Sequence, residues 1–554
     1  MPGPERDLTP LAPLGQSRLR SGPVRTQRPV YVDLLPPCNA GCPAGENIQA
    51  WLAHVKAGEH EAAWRQLTAD NPFPAIHGRV CYHPCEAACN RKELDSAISI
   101  HGVERFLGDL AIEQGWAFEQ PDTESGRRVL VVGSGPSGLS AAYHLARLGH
   151  HVTVRDSAPM PGGMMRYGIP SYRLPREVLD AEVDRLRRLG VTLEQDHRVV
   201  DLDLERQDGG FDAVFVAVGA HLSARVDIPN DDASRVLDAV DFLRGVESGE
   251  QQPLSGRVAV YGGGNTAMDA ARVARRLGAD ETVIVYRRTR EQMPAHEEEA
   301  RDAEEEGIRI TWLRTISSMG DDALTVEVQE LDEHGVPHGT GRFETLAADT
   351  LILALGQKSD TAFLHGIPGI EFDRDTVQVD RTTLMTGAPG IFAGGDAVPS
   401  QRTVTIGVGH GKRAARAIDA WLRGEPHVQA PKHERADFDK LNLWYFGPHD
   451  RREQAVLDPT ARVFSFDEIL TGLTAQEASY ESARCLSCGN CFECDGCLGA
   501  CPEDAVIKLG RGHRYRFDYT ACTGCSACYR QCPVHAIEMV AEPVTGSPGG
   551  GVAP

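Results

Sequence analysis

The chain carries Cys491-x2-Cys494-x2-Cys497-x3-Cys501-Pro502 and then repeats the spacing as Cys522-x2-Cys525-x2-Cys528-x3-Cys532-Pro533. Eight thiolates in such a double run can wrap two 4Fe–4S cubanes, the fourth cysteine of each run ligating the cluster of the other. Zinc and disulfides are the alternatives. Zinc sites pair two Cys-x2-Cys units across a longer gap, and disulfides need an oxidising compartment. The spacing favours cubanes, which implies one-electron chemistry.

Fifteen cysteines sit in a chain of 554 residues. That length accommodates about three or four domains with substantial cores. The amino terminus, MPGPERDLTP, lacks the apolar core of a signal peptide. The expectation is a cytoplasmic protein whose cysteines serve metal or redox chemistry rather than staples. A net charge of −22, with only scattered arginines in the first 30 residues, argues against a nucleic-acid surface, which needs clustered Lys and Arg. No apolar run approaches the roughly 20 residues that cross a bilayer, so membrane insertion is not expected.

Cys38, Cys42, Cys81, Cys85 and Cys89 lie in or beside a segment from Gly45 to about Gln114 with helical spacing, as in ENIQAWLAHVKAG and EAAWRQLTAD. Trp51 and Trp64 at that spacing are core candidates. RRVLVVG (127–133) then reads as a buried parallel strand, SGLSAAYHLARLG as a helix and HVTVRD as a second strand; another cycle begins at RVAVYGGG (257–264). Such alternation builds a doubly wound parallel sheet. Residues 1–36, rich in Pro, Arg and Gly, read as an irregular arm or one laid along a partner. The polar segment 426–484 reads as a connector, and the Gly/Pro-rich end, 541–554, as a disordered tail. The acidic run HEEEARDAEEEG reads as a solvated helix.

Gly133-x-Gly135-Pro136-Ser137-Gly138 stands between a strand and a helix, where a dinucleotide fingerprint belongs; a plain tight turn is the alternative. Its glycines let the backbone approach a pyrophosphate, and the helix N-terminus supplies partial positive charge. Asp156 closes the next strand, 18 residues after Gly138, placed to accept from ribose hydroxyls. A second fingerprint, Gly262-Gly263-Gly264-Asn265-Thr266-Ala267, also follows a strand. Its second strand ends in VIVYRRTR, with Arg287 and Arg288 where a ribose-binding carboxylate would stand. Arginines pair with a 2′-phosphate that a carboxylate would repel, which favours NADPH over NADH; a solvated strand end is the alternative.

A third piece, GIFAGGDAV (390–398), puts Gly395 and Asp396 at a strand end near the ribityl and phosphate of a flavin. The following VTIGVGHGKRAARAI, with Thr405 in its first turn, can aim a helix N-terminus at the flavin ring. Two dinucleotide sites with this returning strand imply FAD and a nicotinamide face to face. Hydride passes between them and the cofactors carry the chemistry, so no catalytic protein group is expected. His410 reads as structural.

In order along the chain, GRVCYHPCEAAC, VVGSGPSGLSAA, PGGMMRYGIPSYRLP, GGGNTAMD, YRRTREQMPA and AGGDAV resemble the small subunit of bacterial glutamate synthase and its relatives, from about residue 30 to 425. The resemblance implies a multidomain chain. A helical iron–sulfur domain (37–125) precedes an FAD-binding domain (126–250 and 351–425), into which an NAD(P)H-binding domain (251–350) is inserted, both Rossmann-like α/β units. A two-cluster ferredoxin-like α+β domain (485–540) is added at the end. The resemblance implies FAD at Gly133, Gly135, Gly138, Asp156 and Asp396, with Gly162–Pro170, including Gly162, Gly163, Met164 and Arg166, along the isoalloxazine. It implies NADPH around Gly262, Gly264, Asn265, Thr266, Arg287 and Arg288.

The chain departs from that family at three points. Asp156 replaces the usual Glu, which shortens the reach but keeps the charge. The ferredoxin-like unit is absent from the plain small subunit. The family's N-terminal Cys-x2-Cys-x4-Cys-x3-Cys-Pro is reduced to Cys38-x3-Cys42-Pro43. By the resemblance, Cys42, Cys81 and Cys85 hold one cluster with Glu104 as a candidate oxygen ligand, leaving Cys38 and Cys89 with half a cluster. Cys485-x2-Cys488, in ARCLSCG, is surplus to the eight ferredoxin ligands and looks like the start of the missing motif. Either this pair completes a cluster with Cys38 and Cys89, giving four cubanes, or one cluster has been lost and some cysteines are idle, packed as small hydrophobes.

The expectation is an NADPH-linked FAD and 4Fe–4S electron-transfer subunit. Added clusters suit a partner that takes low-potential electrons, such as a 2-oxoacid:acceptor (ferredoxin) oxidoreductase. The alternatives are the small-subunit role beside a glutamate synthase large subunit, a stand-alone NADPH:ferredoxin oxidoreductase, and a scaffold with decayed sites, against which the intact glycines weigh.

Overall fold

Two β-branched runs, RVLVV at Arg128–Val132 and RVAVY at Arg257–Tyr261, form the central strands of two parallel sheets. The computed structural model describes residues 25–543 apart from 224, 225, 227, 230–234 and 252. The first sheet has the spatial order Ile391–Ala393, Ala213–Val216, Arg128–Val132, His151–Arg155, Thr192–Glu194, every pair parallel. The second repeats the plan with Arg309–Trp312, Glu281–Tyr286, Arg257–Tyr261, Thr350–Leu353 and Val236–Asp238. Parallel strands must be covered on both faces. Helices Pro136–Arg147 and Val404–Arg423 lie together against the first sheet, and Asn265–Arg276 covers the second.

The inserted unit is wider than expected. Strands Val236–Asp238 and Thr350–Leu353 belong to the second sheet, so it begins before 251 and runs past 350. A three-residue edge strand is too short to register as a period in sequence. An antiparallel sheet of Arg314–Met319, Ala323–Leu331 and Pro337–Ala347 adjoins it.

The N-terminal helices Ile48–Lys56, His60–Thr68, Pro74–Val80 and Ile100–Glu113 bury Trp51 and Trp64 completely. Helix Ala475–Ala483, expected to be connector, packs on Ile48–Lys56 and Ile100–Glu113 and contributes Ala478 to their core. Its start is fixed by a capping box between Thr474 and Glu477.

The amino-terminal arm is not wholly irregular. Gln27–Tyr31 is a strand paired antiparallel with Ile537–Ala541, so this part lies along the end of its own chain. Residues 1–24 of the arm and 544–554 of the tail lie outside the described residues. Between them, short helices Gly496–Ala500 and Ala527–Gln531 and the hairpin Val506–Ile507/Arg516–Phe517 complete a ferredoxin-like α+β unit.

The acidic helix Glu297–Glu305 is only partly solvated. Glu299 is buried, and the buried Glu306 beyond it meets Arg272 (2.8 Å), Arg276 (2.6 Å) and Arg462 (3.0 Å). A buried carboxylate needs such partners. No helix among the described residues is long and apolar enough to cross a membrane.

Candidate functional site

A cavity of ≈ 500 Å³ lies between the two fingerprint turns. The first unit lines it with Gly133, Gly135, Pro136, Ser137, Asp156, Gly163 and Met164, the second with Asn265 and Thr266, and the returning strand with Gly395 and Asp396. Gly138 explains the tightness of the first turn: a Cβ there would overlap the Gly133 carbonyl. Helix Pro136–Arg147 therefore starts hard against the strand end, at Gly135, with no side chain capping its first amides.

Asp156 Oδ2 accepts from the Ser134 amide (2.6 Å) and hydroxyl (2.7 Å), and Oδ1 from the Ala158 amide (2.8 Å), which fixes a carboxylate at the cavity wall. The Asp396 carboxylate has no hydrogen-bond partner among the described residues, and burial pushes it up to about 6 against the pull of Arg402. The buried Ser137 hydroxyl is also unpartnered. Unsatisfied polar atoms around a cleft are what a bound polar ligand satisfies. The lining fits a flavin dinucleotide.

On the second unit, Asn265 Oδ1 accepts from the His296 amide (2.9 Å) and Gln357 Nε2 donates to Thr266 Oγ1 (3.4 Å). Gly262, at φ +154, lets the turn pass beneath the Ala354 carbonyl, and Gly264 caps the helix without a side chain. Ala267 is fully buried behind the turn. Neither Arg287 nor Arg288 is ion-paired among the described residues, and Arg288 Nε is buried without a partner. Their neighbour Arg290 is held by Glu297 (2.7 Å) and Glu304 (3.0 Å). Two free guanidinium groups beside the second fingerprint suit a phosphate.

Arg166 and Thr405 do not face the cavity, and Gly262, Gly264, Arg287 and Arg288 are not among the residues that line it. Arg166 turns away, its Nε donating to the Pro161 carbonyl (2.8 Å) and its guanidinium pairing with Asp180. Thr405 points at Cys81, Oγ1 to Sγ 3.1 Å, while its neighbours Thr403, Val404 and Gly407 line the cavity. Each helical residue turns by about 100° from the last, so a motif locates the turn but not the side that faces a ligand. Gly138, Gly162 and Ala267 shape the wall from behind. His410, buried and held down to about 4 by its burial, accepts from the Gly395 amide through Nδ1 (3.0 Å). Its role is structural.

Tyr82 and Arg173 line the same cavity and were not foreseen. Tyr82 stacks on His296 of the inserted unit with ring centroids 3.4 Å apart, and Arg173 pairs with Asp269 (2.9 Å) and with Glu299. The only signal for Tyr82 in sequence was its place beside Cys81.

All fifteen cysteines are free of disulfides. No three of their sulfurs lie within 4.8 Å of one another. Thiolates on one zinc at about 2.3 Å would stand only ~3.8 Å apart. These groups are too open for zinc. Cys501, Cys522, Cys525 and Cys528 surround one hollow, and Cys491, Cys494 and Cys532 are the cysteines that act most strongly on the Cys497 thiol. The fourth cysteine of each run thus joins the other run's group.

Cys38, Cys89, Cys485 and Cys488 line another hollow. Cys42, Cys81 and Cys85 gather beside buried Glu46 and Glu104. Asn71 Nδ2 donates to Oε1 of both carboxyls (2.9 Å each) and meets His77 Nδ1 at 2.7 Å. Burial and the nearby acids push Glu46 and Glu104 up. Glu46, Asn71 and His77 carried no signal in sequence. Burial pushes the thiols of Cys81 up to about 12 and Cys485 to about 11, so holding them as thiolates requires a bound cation.

Residues 127–418 match the family model described as pyridine nucleotide-disulphide oxidoreductase. The chain belongs to that family. Residues 28–116 match dihydropyrimidine dehydrogenase domain II, 4Fe-4S cluster, and 515–538 match a 4Fe-4S binding domain. This pyridine nucleotide-disulphide oxidoreductase thus has a dinucleotide-binding core with iron–sulfur domains at both ends. It is 36% identical over 507 residues to the NADP(+)-dependent formate dehydrogenase subunit beta of Moorella thermoacetica, covering 82% of this chain and 70% of the relative. It is 31% identical to the NADPH-Fe(3+) oxidoreductase subunit beta of Geobacter sulfurreducens (82% and 75% covered). The glutamate synthase [NADPH] small chain of Azospirillum brasilense is 33% identical (72% and 88% covered), in keeping with the resemblance read from the motifs.

Proposed function

We propose that this chain is the NADPH-oxidising or NADP-reducing subunit of a larger oxidoreductase, exchanging electrons with a catalytic partner through FAD and 4Fe–4S clusters. The observation that carries the reading is the single cavity walled by both fingerprints, with Cys81 hydrogen-bonded to the helix that closes it. A flavin bound there supplies the conversion between the hydride of a nicotinamide and the single electrons of a cluster. Gly133, Gly135 and Ser137 hold its pyrophosphate, Asp156 its ribose, and Asp396 its ribityl end, with Gly163 and Met164 along the ring. Asn265 and Thr266 hold the nicotinamide nucleotide, and Arg287 and Arg288 hold its 2′-phosphate. The two ferredoxin-type groups of cysteines each hold a cluster, and Cys42, Cys81 and Cys85, with Glu104 as fourth ligand, hold another. No side chain is asked to act as nucleophile or base.

The names of the relatives, two of them beta subunits, support a partner that accepts or donates single electrons, of the formate dehydrogenase or ferric-reductase kind. Anaerobic addition of NADPH to the purified holoprotein should bleach the flavin band and then the broad iron–sulfur absorbance. Flavin absorbance that stays unchanged over minutes would overturn the reading.

A further inference from the structure

We propose that Cys38, Cys89, Cys485 and Cys488 together hold a 4Fe–4S cluster whose ligands come from the two ends of the chain. The four line one hollow with Gln49 and Asn90. Cys38 and Cys89 belong to the N-terminal domain. Cys485 and Cys488 lie outside both segments that match iron–sulfur models, 28–116 and 515–538. Neither pair is a cubane site alone; the fold supplies the missing half of each.

The Cys485-Leu486-Ser487-Cys488 turn is built like the loops of the ferredoxin-type unit. Its third residue, Ser487, takes φ +56, as Glu493 (φ +61) does in Cys491–Cys494 and Gly524 (φ +73) in Cys522–Cys525. The Ser487 amide donates to Cys485 Sγ (3.5 Å), as the Gly524 amide does to Cys522 Sγ (3.4 Å). A serine in the left-handed region persists only where its surroundings over-determine it. Here they do. Gln49 Nε2 donates to Ser487 Oγ (3.1 Å), Asn490 Nδ2 to Gln49 Oε1 (2.6 Å) and Arg91 Nη1 to the Arg484 carbonyl (2.9 Å). Arg484 pairs with Asp95 (3.0 Å). Asn90 Nδ2 donates to Cys488 Sγ (3.4 Å), the kind of outer contact that orients and tunes a ligand sulfur. In sequence, Cys38 and Cys89 each stand four residues from Cys42 and Cys85, and Cys488 stands three residues before Cys491. With this assignment none of the fifteen cysteines is without a place.

The assignment rests on reading the chain as an iron–sulfur flavoprotein, and its test separates the two. The full chain is prepared anaerobically as wild type, Cys38→Ala/Cys89→Ala, Cys485→Ala/Cys488→Ala, and the quadruple variant, with iron, sulfide and flavin measured per chain. Each double variant should lose about four irons, and the quadruple variant the same four and no more. Iron retained by either double variant, or losses that add to about eight in the quadruple, overturns the shared site. Should a variant fail to fold, Mössbauer quantification of wild type decides: about sixteen irons per flavin supports the site and about twelve overturns it. Bound flavin and its bleaching by NADPH report on the broader reading independently of these counts.

Discussion

Thr405 Oγ1 donates to Cys81 Sγ across 3.1 Å, joining the helix that walls the nucleotide cavity to the N-terminal cysteines. A donor to a ligand sulfur withdraws charge from it and raises the potential of the centre it serves. Thr405→Val keeps the shape and removes the donor. The variant should retain its iron and flavin while the midpoint potential of one cluster falls by tens of millivolts, read by EPR-monitored titration. Unchanged potentials throughout would show that the bond has no bearing on electron transfer.

Among the described residues Arg287 and Arg288 have no acidic partner, whereas Arg290, beside them, is doubly paired. A charge-assisted bond of about 1.5–3 kcal/mol lost to each phosphate contact corresponds to roughly a 10- to 150-fold weakening. Arg288→Gln should raise the KM for NADPH within that range and leave NADH oxidation nearly unchanged. An equal loss with both nucleotides would mean that the guanidinium serves the fold instead.

What the sequence disclosed and what it withheld divide along contact distance. Gly133–Gly138 and the two cysteine runs are contiguous, and each residue's role follows from its neighbours' spacing. Cys485 meets Cys38 only after more than 400 intervening residues, so spacing could raise that pairing by counting surplus thiols but not decide it. Thr405 and Arg166 lie in the turns that the motifs mark but meet Cys81 and Asp180, since helical direction depends on packing. Asn71 and His77 are ordinary residues made notable by burial beside Glu46 and Glu104, and Tyr82 by its stacking on His296. Val236–Asp238 was missed because three residues at a sheet edge carry no period.

A Cβ at residue 138 would overlap the Gly133 carbonyl and press on Val131. The strand end and the helix start cannot both stay in place. Gly138→Ala should cost about 1–3 kcal/mol as an overpacked site and open the turn that receives the pyrophosphate. The purified variant is expected to carry well under half the flavin of wild type while its ferredoxin-type clusters keep their iron. Full flavin occupancy would place the pyrophosphate elsewhere.

His410 is held neutral by burial, down to about 4 against an ordinary value near 6.5, while Nδ1 accepts from the Gly395 amide. A histidine whose folded value is depressed contributes stability that is present above the unfolded value and is lost as pH falls toward the folded one, because the unfolded chain takes the proton first. Between pH 7 and 5.5 that linkage costs roughly 1 kcal/mol, and the clusters need not be exposed to stronger acid to see it. Thermal unfolding of wild type and His410→Gln, followed anaerobically at both pH values, should therefore differ in slope: the wild type loses the extra stability and the variant does not. Parallel losses would mean that the imidazole is already protonated in the fold, which an acceptor at Nδ1 forbids.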